Sequence, residues 1–300
     1  MHFHIPTMLL MLVVAFGVMA MGLAFFAPAQ HRALRLTALG LLVHGAGYAL
    51  LGRRGDIPLL LSILGGNLGI TLAAALYLLA LYRFQERAPH WWLLALPVLI
   101  VGLGMALLLD IYTGRRLLSS LVALCQFAHM ALLLWQRRRH TAGRGQYLVL
   151  CAALVVCATM VQRSAAYVLG MDSARSLHDA TPTVIWTFLM VLLSVLLLAL
   201  GLLMMTQERV EQALSSSEWR YRRLVEAANE GICVLQDGVF RYINPKGTQL
   251  FGLPEEALLE RPILELIHPD DWDLVRHNYA LRIEGEADAL RYAVRVLTGP

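Results

Sequence analysis

Arg163 is the side chain in this sequence with the most chemistry to account for. It lies beside Gln162 in the apolar run from Tyr147 to Leu169, which holds no other charged residue. A guanidinium among apolar helices needs a counter-charge, a set of acceptors, or a path for its head to reach water. Its planar fork matches a carboxylate or phosphate in two-point contact, so an anionic or carboxylate ligand is the sharpest chemistry on offer. The internal alternative is neutralisation by Asp110, Asp172 or Asp179, which fall at the same end of the helices as Arg163. His44, Asn67 and His129 are the other polar groups inside apolar runs. Hydrogen bonds between helices are their plainest use, with His44, Asn67, Arg163 and Asp110 together forming the candidate ligand-sensing set.

Other constellations carry less. His268, Asp270 and Asp271 could suggest a metal site, but His-Pro-Asp-Asp reads better as the start of a helix. Pro269 suits a first turn, and the carboxylates suit the positive end of the helix dipole, so no metal is expected. Of the four cysteines, Cys125, Cys151 and Cys157 fall in apolar runs and Cys233 in a β-prone one. None has the spacing of a redox or zinc motif, and buried free thiols are expected. No catalytic motif occurs in residues 1–300, neither a Walker A sequence nor a Gly-rich nucleotide loop.

The elements that must position these groups follow from hydropathy. The 300 residues are 58% apolar and 15% charged, with a mean hydropathy of +0.60, a balance foreign to soluble domains. A hydrocarbon core of roughly 30 Å asks for about 20 helical residues. Seven runs qualify: 8–27, 34–51, 57–82, 91–109, 117–135, 147–169 and 183–205, the second being the shortest. Residues 1–7 contain no Lys or Arg, so the first run reads as a retained helix rather than a signal peptide. Residues 1–205 carry 14 Arg and 5 acids, against 16 acids and 11 Arg plus Lys in residues 206–300. The net charge of +4 comes from Arg in short loops between apolar runs, where lipid headgroups explain it and no nucleic acid is needed. With the C-terminus inside, inner loops hold Arg32, Arg35, Arg83, Arg87, Arg137, Arg138, Arg139 and Arg144, and outer loops hold Arg53, Arg54, Arg115, Arg116 and Arg175. That bias places the N-terminus outside and residues 206–300 in the cytoplasm. Small-residue patterns at Gly65, Gly66 and Gly69, and at Gly102 and Gly104, fit close helix packing.

After Met205 the chain has good helix formers and no Pro or Gly until Gly231, so residues 206–228 are expected to extend the last apolar helix as a connecting helix. Residues 232–235 and 239–243 are β-prone runs joined through Asp237-Gly238, a two-residue hairpin turn. With RYRRLVEAANEGICVL before them, Asn244-Pro245 after them, LFGLPEEALLER at 250–261 and IHPDD at 267–271, this stretch resembles the PAS family. The resemblance covers about 85 residues. It implies an antiparallel sheet with short helices over 245–250, 254–258 and 263–267, a longer helix over 270–283 and a third strand near 291–297. The family's five-stranded sheet would need two further strands, so the domain is expected to be interrupted at residue 300. PAS domains can hold haem, flavin or a small metabolite between sheet and helices, which makes His277, Asn244 and Trp272 the pocket candidates. Haem-binding members carry a histidine on the long helix, although His277 lies one residue further from Pro269 than theirs. Asn244 also reads as a residue that satisfies backbone at the strand end. Flavin-thiol chemistry would need a cysteine within 244–250, and there is none.

The expected class is thus an α-helical membrane bundle of about seven helices (1–205), a connecting helix (206–228) and a truncated α/β PAS domain (229–300). HFHIPTMLL at the start and LLSILGGNLG at 60–69 are similar to the N-terminal membrane region of many bacterial proteins that end in a GGDEF diguanylate cyclase domain. These resemblances imply a sensor in the bacterial inner membrane, a homodimer by family habit, that relays an unknown small-molecule or membrane signal towards cyclic di-GMP synthesis. A histidine-kinase input region is the alternative, and a transporter or channel with a regulatory PAS tail a further one.

Overall fold

The computed structural model describes residues 5–26, 32–138, 143–172, 181–283 and 291–297. The chain divides into two compact units, Met1–Val210 and Glu211–Pro300. The described residues of the first form helices: α1 Ile5–Phe26, α2 Arg32–Gly52, a π-helical turn Leu61–Gly65 that runs into α3 Gly66–Phe84, α4 Trp91–Leu107, α5 Tyr112–Gln136, α6 Gly145–Val168, and α7, which begins here and spans Pro182–Glu226. Pro182 opens α7 where its fixed φ costs nothing, and Thr181 Oγ1 accepts from the amide of Val184 at 3.4 Å as a cap.

Six of these helices are long and apolar enough to cross a membrane, whereas α4, at 17 residues, is apolar but shorter. The seven full-length runs expected from hydropathy are therefore six, with a shorter apolar seventh. The run at 91–109 ends as a helix at Leu107, and the Leu109 carbonyl beyond it accepts from Arg115 Nη1. The second run, expected to be the shortest, forms a helix of 21 residues.

Apolar side chains cover both faces of these helices. On α1, Leu9, Leu12, Phe16 and Leu23 are buried while Leu10, Met11, Val14, Val18 and Met21 are exposed. A soluble bundle would put polar residues at the second set. The core runs through all seven helices, from Phe16 and Leu41 through Tyr77 and Leu134 to Val149 and Leu198. Backbones approach most closely at glycines. A methyl group on Gly201 of α7 would lie 2.7 Å from Val149 Cγ2 and 2.9 Å from the Gly145 carbonyl of α6. One on Gly47 of α2 would lie 2.9 Å from the Gly66 carbonyl, and one on Gly69 would lie 3.1 Å from Gly47 Cα. The glycines of the LGGNLG run thus seat α3 against α2.

In the second unit, the rest of α7 leads to a hairpin of β1 Cys233–Gln236 and β2 Val239–Ile243. Gln236 pairs with Val239 across Asp237 (φ 54°) and Gly238 (φ 76°), two left-handed residues whose twist matches that of the strands. Then follow α8 Pro245–Phe251, α9 Glu255–Leu258, the 3-10 turns Ile263–Leu266 and Pro269–Asp271, and α10 Trp272–Ile283. Phe240, Ile243, Leu258 and Leu266 form the core of this unit. The far edge of β2 is occupied by residues 259–263, through Phe240 N to Arg261 O at 3.3 Å and Glu260 N to Phe240 O at 2.9 Å.

The sheet has two strands among the described residues. The third, expected near 291–297, is not one of them. That segment makes a single antiparallel bridge, Val296 to Ile267, outside the sheet. It is held by His268 N to Arg295 O at 2.9 Å, Leu297 N to Leu266 O at 2.8 Å, and Asp271, which accepts the amide of Arg295 at 2.8 Å and its guanidinium at 2.9 and 3.1 Å. Arg295 thereby draws the segment to the helix start at Pro269 rather than to β1 or β2.

Gly201→Leu forces α6 and α7 apart and is expected to destabilise the first unit by about 1–3 kcal/mol, read as a lower melting temperature in detergent. Gly22→Ala, which meets nothing within 4 Å, should be silent. The side chain of Arg295, then its amide, holds the Asp271 carboxyl down to about 2. The folded state thus binds this proton less readily than the unfolded chain. The contact contributes fully above the ordinary aspartate value of about 3.9 and is lost as pH falls through about 2. Exchange protection of the His268 and Leu297 amides, corrected for intrinsic rates, should fade across that window and be absent at neutral pH in Asp271→Asn.

Candidate functional site

Three of the four candidate residues in the helices, His44, Asn67 and Arg163, line one cavity of about 160 Å³ within the first unit. Asp110 does not line it: its side chain is exposed, and no ion pair joins it to Arg163 among the described residues. Asp172 pairs instead with Arg116, at 3.7 Å. Asp179 lies outside the described residues.

Arg163 is seated by α5. Its Nε donates to Ser120 Oγ at 2.8 Å, and its Nη2 donates to Ser119 Oγ at 2.8 Å and to the Arg116 carbonyl at 3.3 Å. All of these acceptors are neutral, so the fork is fixed in direction while its charge finds no carboxylate among the described residues. Around it stand three further cations. Arg54 follows the end of α2, and Arg115 and Arg116 occupy the first turn of α5. The Arg116 guanidinium lies over the rings of Tyr112 (5.0 Å to the ring centroid) and Tyr167 (4.4 Å), a placement that favours a planar cation. These four Arg and Tyr112 make one end of the cavity cationic, and no Asp or Glu among the described residues lines it.

Away from the arginines the walls are apolar. Phe127 of α5 and Val156 and Met160 of α6 face Phe188, Val191 and Val195 of α7. With Val184, the α7 positions recur at helical spacing, so one face of α7 forms a wall. His44 packs with Phe16 (ring centroids 4.5 Å apart, planes at 22°) and Tyr48 (5.2 Å, 12°), whose own rings are 5.8 Å apart. Its Nδ1 bonds to Tyr77 Oη at 3.2 Å, whereas its buried Nε2 has no hydrogen-bond partner among the described residues. Asn67 Nδ2 donates to the Ile63 carbonyl of the π turn at 2.7 Å. Such turns leave helical carbonyls in need of donors. His129, by contrast, stands apart with Tyr82 Oη at 3.0 Å, and Gln162 is exposed.

Sequence reading missed Arg54, Arg115 and Arg116, which it took as loop charges that report topology. The available signal was their position. All three flank helix ends on the side where Arg163 also lies, and arginine pairs at two neighbouring helix ends can converge on one opening.

In the second unit, Asn244 is fully buried and all its polar capacity is spent. Its Oδ1 accepts the amides of Ile232 and Gly247, both at 2.8 Å, and its Nδ2 donates to the carbonyls of Val225 (2.9 Å) and Glu230 (3.0 Å). It therefore ties the end of α7, the residues that lead into β1 and the N-terminus of α8 together and has no bond left for a ligand. Trp272 Nε1 donates to the Ile267 carbonyl at 3.0 Å. His277 is exposed on α10, where Val275 and Asn278 are the buried residues. The structure thus does not bring the three pocket candidates together. His268 Nδ1 accepts the Asp270 amide at 3.4 Å, capping the turn that follows. No group of three or more metal-ligating side chains occurs among the described residues.

Asn244→Ala leaves two buried amides unsatisfied, at about 1–3 kcal/mol each, and should expose Ile232 and Gly247 to rapid hydrogen exchange. Asn244→Asp keeps the acceptors but not the donors and is expected to fall between the two.

Comparison with known proteins bears on the second unit. The family described as PAS fold matches residues 220–298, so this region is a PAS domain that follows several apolar helices. No curated protein and no solved structure matches the chain.

Proposed function

We propose, from the PAS domain at 220–298, that the chain is the input and relay part of a sensory transducer in a lipid bilayer. In this reading the arginine-lined cavity receives the stimulus and α7 passes the resulting change to the PAS domain. The observation that carries it is α7 itself. Val184, Phe188, Val191 and Val195 near its start line the cavity. The same helix continues to Glu226, and its Val225 carbonyl is bonded by Asn244 at the PAS hairpin. A stimulus that shifts the packing of the helices between two states would act on a segment directly continuous with the sensor module.

Support for the bilayer comes from the apolar outer faces and from exposed aromatics at helix ends. Trp91, Trp92, Trp135 and Tyr147 lie at one end of the helices and Trp186 at the other, the positions that amphipathic rings take at membrane interfaces. With 17 residues, α4 sits at the lower limit of crossing length, roughly 17–25 residues. If it crosses, the N-terminus and the PAS domain lie on opposite sides, and the loop arginines favour a cytoplasmic PAS domain. We assign the protein to the bacterial inner membrane, as a homodimer. Its output is a diguanylate cyclase, favoured by the similarity of residues 2–10 and 60–69 to cyclase membrane regions.

Green fluorescent protein and alkaline phosphatase fused in turn after Pro300 test the orientation. Fluorescence without phosphatase activity, in membranes that resist alkaline extraction, is the expected outcome, and release at high pH would overturn it. Conversion of GTP to cyclic di-GMP by the protein expressed from its intact gene is expected for the output. Autophosphorylation from ATP instead would replace the cyclase by a kinase.

A further inference from the structure

We infer that the cavity of the first unit binds an amphipathic monoanion, with its carboxylate or phosphate head at Arg54, Arg115 and Arg163 and its apolar tail between α5, α6 and α7. This deepens the sensory reading by naming the ligand class of its input site.

Three observations carry the inference. The first is charge without a matching countercharge. Four guanidinium groups line one end of the cavity and no carboxylate among the described residues lines it; the one ion pair these four make among the described residues is Arg116 with Asp172, and Asp110 acts on Arg115 only from outside the cavity. Cations gathered in surroundings this apolar repel one another and are costly to bury, and an anion between them relieves both terms. The second is preorganisation. Ser119, Ser120 and the Arg116 carbonyl hold the Nε and Nη2 of Arg163, while Arg115 is fixed by the Leu109 carbonyl. The groups that would grip a head are therefore already oriented by neutral acceptors.

The third observation is the shape of the remainder. From Val184 to Val195 the cavity wall follows α7 for about 16 Å. It is closed by Phe127, Val156 and Met160 and carries few polar groups, among them His44, Asn67 and Ser194. A bare inorganic anion would leave this space without partners, and an uncharged hydrocarbon would leave the arginines unanswered. A molecule with both parts satisfies both ends, and its tail would touch the α7 face that begins the path to the PAS domain. Such a ligand could come from the aqueous side as a free carboxylate or from the bilayer as an anionic lipid. The recognition chemistry is the same.

Localised photolabelling of the full chain in phosphatidylcholine nanodiscs tests this directly, with octanoate carrying a diazirine on its tail as the probe. Because binding is read at the cavity, a failure here is separate from any failure of signalling or output. Labelling is expected on the inward residues of α5, α6 and α7, above all near Phe127, Met160 and Val195. Unlabelled octanoate should displace the probe, whereas octanol, octylamine and acetate at equal concentration should not. Arg163→Gln should weaken labelling at least about tenfold, the worth of a charge-assisted hydrogen bond pair. Ala123→Phe, which fills the tail space, should do the same without touching any charge. If Arg163→Gln does not fold, the ligand series on the unaltered protein decides alone. Displacement by octanol as strong as by octanoate would reduce the site to an apolar void and overturn the proposal. Displacement by acetate would overturn the role of the tail, and labelling confined to outward residues would overturn the site. Phosphatidylglycerol added to the nanodiscs separates the sources. If it displaces the probe the ligand is a bilayer lipid, and if it does not the ligand is a soluble carboxylate. Either result upholds the shared chemistry.

Discussion

The seating of Arg163 on the first turns of α5 is the contact around which the helical unit is arranged. A guanidinium inside an apolar helix must find acceptors, and here Ser119, Ser120 and the Arg116 carbonyl provide them. This brings the end of α6 against the start of α5, and with α5 come Arg115 and Arg116, whose own carbonyl and carboxylate partners fix the connection from α4 and the segment after α6. Arginine is suited to this because its fork stays charged and directional where a lysine ammonium would be a mobile point charge. The cavity is the space left where α2, α3, α5, α6 and α7 meet without filling the region between them.

At the opposite end of the same helices the constraint is steric. Gly145 and Gly201 let α6 and α7 meet backbone to backbone, and Glu208 of α7 accepts the amides of Arg144 and Gly145 at 2.7 and 3.2 Å. A carboxylate at a helix N-terminus neutralises both the free amides and the dipole. Arg209 beside it stacks over Phe84 at 4.6 Å and meets Glu86 at 3.4 Å. α7 is thus clasped where it leaves the helical unit, while its first turns border a cavity. This combination lets a helix respond at one end without losing its register at the other.

In the PAS domain one residue plays the corresponding part. Asn244 spends two acceptor and two donor positions on four residues in three segments, so the end of α7 and the hairpin share a single polar centre in a core of only a few apolar side chains. Small cores lean on such centres because each buried polar group left unpaired costs a sizeable part of the available stability.

Much of this was legible in the chain. Hydropathy located every helix of the first unit to within a few residues, because lipid-like apolar runs carry their own length standard. The Asp237-Gly238 turn and the two β-prone runs named the hairpin, because positive φ is nearly reserved for such residues. The polar role of Asn244 was also readable, since an Asn before Pro at a strand end has backbone amides within reach. The early end of α4 was not, because the apolar run continues through Leu108 and Leu109 past the last helical residue. The place of residues 291–297 was not, because strand propensity is silent on which edge a segment meets, and the Asp271 and Arg295 pair chose a helix start. The convergence of Arg54, Arg115 and Arg116 on Arg163 was decided only in three dimensions. Local sequence determines which groups a helix carries and how long it runs. Which faces meet depends on packing between segments far apart in the chain, and there the chemistry of the cavity was settled.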